Sequence, residues 1–146
     1  MKARKLNSIL KGNFYTRKNF LGVYPSCKIP ETKKTKYCFI SNTENHNEPG
    51  EHWVVWFIKN SEIFFFDSFG RSPYDRSFPH SFADLADQFK KCNYVSIPVQ
   101  HPNTPWCGLH CMHFIYIFSI GLSVDDFLDD YEKNEIVSIC KLIFTK

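Results

Sequence analysis

No apolar segment in this chain reaches the ~20 residues that a membrane-crossing helix requires. The longest, Leu109 to Leu122, contains His110 and His113 and reads as a buried core helix. Met1-Lys2-Ala3-Arg4-Lys5 is not followed by the apolar stretch of a secretory signal. The six cysteines are therefore read as thiols in a reducing cytosolic or nuclear setting, not as a disulfide framework. Internal repeats and low-complexity tracts are missing too, and the Pro/Gly/Asn clusters are loop-sized. One domain over residues 1–146 is expected.

Acidic residues are scarce at the front. Residues 1–36 hold ten Lys/Arg and one acid, a charge of +9, whereas residues 37–146 hold eight and fourteen, a charge of −6. A basic front of this kind is either a DNA contact or a solvated flexible arm. Apolar residues make up 43% and Phe alone contributes 15 positions, so an aromatic-rich core is expected.

Residues 4–11 read as a short amphipathic helix, Phe20 to Tyr24 as an irregular stretch, and Tyr37 to Ser41 as a strand. Trp53 to Ile58 and Ile63 to Phe66 are rich in β-formers and separated by Lys59-Asn60-Ser61-Glu62, the pattern of an antiparallel hairpin. Apolar positions 82, 85, 86 and 89 predict a helix over 82–91, followed by a strand over Tyr94 to Val99. From Cys107 the pattern is helical up to a stop at Gly121, with Pro105 just ahead, so Cys107 falls in the first turn. Ser123 with Asp125 and Asp126 marks another helix start. Ile136 to Phe144 fits either a helix or a strand. The fold class expected is α+β: a central mixed or antiparallel sheet flanked by helices.

The hairpin brings His52, before its first strand, to the same end as Asp67, after its second. A thiol hydrolase needs a nucleophile, a base, a group that orients the base, and an oxyanion donor. Cys107, His52, Asp67 and Gln100 are one of each. A helix N-terminus and a neighbouring imidazolium both favour the thiolate, and Gln100 lies seven residues before Cys107 across a Pro-punctuated loop. Taken singly, each has a plainer reading: a small buried hydrophobe, a surface histidine, a turn-forming aspartate, a loop glutamine. Cys107, His110, Cys111 and His113 also fall within seven residues, but structural zinc draws four ligands from separated pairs. No metal site is expected.

These residues resemble the adenovirus-type cysteine endopeptidases, in the clan that includes the ubiquitin-like-protein-specific proteases. The likeness spans residues 8–122: Phe20 to Tyr24 resembles the N-terminal motif, Asn42-Thr43 with Glu51-His52-Trp53 the histidine block, and Phe66 to Gly70 the acidic block. Gln100, Pro102, Asn103, Cys107, Gly108, Leu109 and Cys111 resemble the nucleophile block. The resemblance implies a thiol protease with His52 as base, Asp67 as orienter, Gln100 as oxyanion donor and Cys107 as nucleophile. It implies cleavage of capsid precursors at Gly-containing sites, by a monomer in a virion or in the host nucleus or cytoplasm. DNA bound through residues 1–36 and a viral peptide near Cys92 are the activators it implies, and no cofactor is required. Removal of ubiquitin or a similar modifier is the alternative activity. Trp106 stands where those enzymes carry Asp, and their Gln-to-Cys spacing is one residue shorter. A DNA- or capsid-binding module with a dead site is the non-enzymatic alternative.

Overall fold

The structure is a computed structural model that describes residues 1–43 and 52–145. Glu51 of the histidine block lies outside the described residues. Among the described residues five strands form one mixed sheet in sequential order: β1 (Phe20–Tyr24), β2 (Tyr37–Asn42), β3 (Trp53–Lys59), β4 (Glu62–Phe66) and β5 (Lys91–Tyr94). The two central pairings are antiparallel and the two outer ones parallel. The expected α+β class with helices flanking the sheet is observed.

Strands β3 and β4 carry the centre because their apolar residues serve both faces. Trp53, Val55, Phe57 and Phe66 point to one core, while Val54, Trp56, Ile58, Ile63 and Phe65 point to another. A strand covered on both sides reads as a continuous apolar run, since side chains alternate with a period of two. Asn60 and Ser61 close the hairpin with φ of 53° and 64°. Two positive-φ residues make the turn whose twist matches that of the flanking strands.

Helix α2 (His80–Asp87) covers one face through Phe82 and Leu85. Helix α3 (Cys107–Ser119) covers the other, with ten of its residues buried. Around α3 pack α1 (Ala3–Gly12), α4 (Val124–Lys133) and α5 (Ile136–Phe144). A helix enclosed in this way is apolar all round. It ends where Gly121 takes φ +84°, with Leu122 N–H bonded to Ile117 O and Gly121 N–H to Phe118 O, the Schellman arrangement. Ser123 and Asp126 form a reciprocal capping box on α4.

Four expectations need correction. Phe20 to Tyr24 is not irregular but a strand, drawn into the sheet by parallel pairing with β2 around a register shift between Phe20 and Val23. The strand expected at Tyr94 to Val99 lies upstream, at Lys91–Tyr94, where it pairs with β4; Val99 and Gln100 instead donate their N–H groups to Ser68 O. Helix α2 ends at Asp87, short of Lys91. The start of the chain is not a flexible arm: Leu6 and Leu10 of α1 are fully buried against the core. Ile136 to Phe144, left open between helix and strand, is helical.

Candidate active site

His52 immediately precedes β3 and Asp67 immediately follows β4. The register Val55 to Phe66 brings both to one end of the sheet. Backbone bonding continues one step past the strand, with Thr43 N–H donating to His52 O at 3.1 Å. Helix α3 delivers the third group, because Cys107 is its first residue and the helix packs across β3. The Cys111 thiol, one turn on, donates to Trp53 O at 3.3 Å and fastens the start of α3 to the start of β3. Leu6 and Met1 come within 3.3 Å of where a Cβ on Gly108 would stand. Glycine at that position lets α1 close over the first turn of α3.

The His52 Nε2 is hydrogen-bonded to Asp67 Oδ1, and the imidazole also shares a hydrogen bond with the Cys107 thiol. With Nε2 engaged, Nδ1 is the nitrogen left for sulfur. The ring lies on Phe69 with centroids 5.1 Å apart and 21° between planes. That contact fixes its rotation.

Burial alone would drive both partners neutral. For Cys107, burial pushes the thiol up, but the His52 hydrogen bond, the backbone bonds from Trp53 and Gly108, and the imidazolium charge outweigh it, and the net direction is down. For His52, burial pulls down, yet bonding and charge from Asp67 and Cys107 leave the ring raised. Both shifts run toward the charged forms, thiolate and imidazolium. Asp67 has no exposed surface; burial raises its carboxyl, but His52 and Arg71 more than reverse this.

Gln100 is 6% exposed and held at both ends of its amide. Ser68 Oγ donates to Oε1 at 2.5 Å, and Nε2 donates to Thr104 O at 2.7 Å. The second bond settles which end is NH₂, because a backbone carbonyl can only accept. A cleft of about 390 Å³ is lined by Met1, His52, Phe69, Gln100, Thr104, Pro105 and Cys107. The four residues singled out from the sequence are therefore brought together: three bonded in a row, and Gln100 lining the same cleft as Cys107.

The remaining metal-type side chains go elsewhere. His110 Nδ1 and His113 Nδ1 both meet Tyr131 OH, at 2.8 and 3.1 Å, and His113 Nε2 meets Asp130 at 2.7 Å. Among the described residues no group of three or more His, Cys, Asp or Glu is placed to hold a metal ion. Cys92 packs with the α2-side core, on the opposite face of the sheet from α3, and burial and the Asp87 charge raise its thiol. None of the six cysteines is in a disulfide. No described helix is long and apolar enough to cross a membrane.

Sequence reasoning missed Arg71. Its backbone N–H and Nε donate to Asp67 Oδ2 at 3.1 and 2.8 Å, and Nη2 reaches Oδ1 at 3.3 Å. Its spacing of four from an aspartate required inside the fold was a usable signal, since a buried carboxylate needs a cation or several donors.

No protein-family model and no curated protein matches the sequence. Among solved structures, the fold is similar to that of the ASFV pS273R protease, with a TM-score of 0.56 and 19% identity; the alignment covers 75% of this chain and 44% of that one. The chain thus spans less than half the length of that neighbour.

Proposed function

We propose that this chain is a cysteine endopeptidase. One observation carries the reading: a single imidazole joins a buried carboxylate to a thiol at the first turn of a buried helix, and both partners are shifted toward the charged state. The protease fold of the structural neighbour supports the same class.

The Cys107 thiolate attacks the carbonyl carbon of a peptide bond, and the carbonyl π electrons move to oxygen. The Gln100 amide and the Cys107 backbone N–H are the donors for that oxyanion. Collapse expels the amine, which takes its proton from the His52 imidazolium, and a thioester remains. His52 then takes a proton from water; hydroxide adds to the thioester carbonyl, the acid product leaves, and the thiolate is restored. Asp67 holds the imidazole in place and stabilises its charged form throughout.

The small cleft, walled by Phe69, Pro105 and Met1, favours a substrate with glycine next to the cleaved bond, and capsid precursors of a virus or a virus-derived element are the substrate class proposed. The sites of action would then be the virion and the host nucleus or cytoplasm. A modifier isopeptidase shares the need for a narrow Gly-accepting cleft; parallel assays of a Gly-Gly peptide and an intact conjugate separate the two. DNA is proposed as a contact of the basic residues 1–36, with salt-sensitive retention as its check. The decisive assay for the enzyme itself is turnover of Gly-containing peptides by the wild type and by Cys107→Ala. Turnover should disappear with the fold intact, and persistent turnover contradicts the assignment.

A further inference from the structure

Asp67 is fully buried, and a carboxylate without water requires its donors to be supplied by the protein. His52 provides one. Arg71 provides three more through its backbone N–H, Nε and Nη2. The guanidinium is itself held on two other sides: Nη1 donates to Ser77 Oγ at 2.9 Å, and Cζ lies 4.4 Å from the centroid of the Phe78 ring. Ser77 is tied in turn to Asp75, by its backbone N–H at 2.9 Å and its hydroxyl at 2.6 Å. The planar fork therefore arrives already oriented.

We propose that Arg71 is the positioning residue of this site, clamping Asp67 so that Oδ1 faces His52 while Oδ2 is taken up by Arg71. The inference rests on the endopeptidase reading. Arg71 does not itself line the cleft; its guanidinium meets Asp67, Ser77 and the Phe69 and Phe78 rings, so it acts through the carboxylate and not on substrate. Its charge has a second effect. The titratable groups around Asp67 are His52 and Cys107 in the site, Cys111 on α3, and Asp75 beyond Arg71. A fixed cation among them makes every proton easier to lose, so Arg71 sets where on the pH axis the thiolate–imidazolium pair exists.

Two substitutions separate geometry from charge. Arg71→Gln removes both; kcat should fall roughly tenfold to hundredfold with KM little changed, and both limbs of the kcat/KM profile should move to higher pH. Arg71→Lys keeps the charge without the fork, so the limbs should stay at wild-type pH while kcat remains low. The same profiles are read from the rate of iodoacetamide labelling at Cys107 by peptide mass spectrometry, which needs no substrate. If wild-type Cys107 labels no faster than the other cysteines, the endopeptidase reading falls and the role of Arg71 with it. If the wild type is reactive and Arg71→Gln keeps its limbs and its rate per reactive thiol, only the role of Arg71 is overturned. Should Arg71→Gln fail to fold, Arg71→Lys decides: wild-type kcat overturns the clamp, and reduced kcat with unshifted limbs supports it.

Discussion

Ser68 Oγ donates to Gln100 Oε1 at 2.5 Å, both residues being buried, and this bond holds one end of the Gln100 amide while Thr104 O holds the other. Ser68 follows Asp67 directly, and its carbonyl accepts from the N–H groups of Val99 and Gln100 at 2.9 and 3.0 Å. One turn therefore positions the carboxylate and, through the loop zipped to it, the proposed oxyanion donor. The two halves of the proposed chemistry share a mounting.

Ser68→Ala should lower kcat while leaving KM close to wild type, because the amide loses one of the two partners that hold it. Gln100→Ala should cost roughly 10² to 10³ in kcat, the usual loss for one oxyanion donor. The check is steady-state kinetics of both single variants and the double. If Ser68 acts through Gln100, the double variant is no slower than Gln100→Ala alone.

Gly70→Ala should damage both stability and rate. Gly70 has φ +79°, and a Cβ there would stand 2.9 Å from Pro98 N and Ser96 O. Both contacts are backbone, so the loop leading to Gln100 must shift. Strain of this kind costs about 1 to 3 kcal/mol, read as a fall in Tm by thermal denaturation together with a fall in kcat.

The network behind α3 should make stability pH-dependent. His110 is 2% exposed, and burial, with the charge of His113, holds it down to about 4 from 6.5. A histidine with a depressed folded pKa contributes its stability above the unfolded value, and that stability is lost as pH falls through the window from 6.5 toward 4. Tm measured across this window should drop in the wild type and drop less in His110→Asn. Tyr131→Phe, which removes the hydroxyl that both rings use, should cost about 1 to 3 kcal/mol, the penalty for unsatisfied buried polar groups.

What could be read from the sequence was local. The Trp53 to Phe66 hairpin, the helix opening at Cys107 and stopping at Gly121, and the Ser123 cap each announce themselves within a few residues, through strand formers, a preceding proline or a capping pair. Strands β1 and β5 do not: each is a parallel partner recruited from a distance, and Lys91-Cys92-Asn93-Tyr94 has no strand signal without β4 beside it. The site followed the same rule. His52, Asp67, Gln100 and Cys107 could be singled out as candidates because their chemistry is complementary, while Arg71 and Ser68 support those side chains through contacts that exist only after the 67–71 turn has folded.

The most direct measurement is the relative alkylation rate of all six cysteines in the intact protein near pH 6, resolved by peptide mass spectrometry. Burial raises the thiols of Cys38, Cys92, Cys111 and Cys140, whereas Cys107 is lowered despite being only 6% exposed. Cys27 is exposed and serves as the internal reference for access. The account predicts that Cys107 labels faster than Cys27 and that His52→Ala removes this advantage. Labelling of Cys107 no faster than that of Cys27 would contradict it.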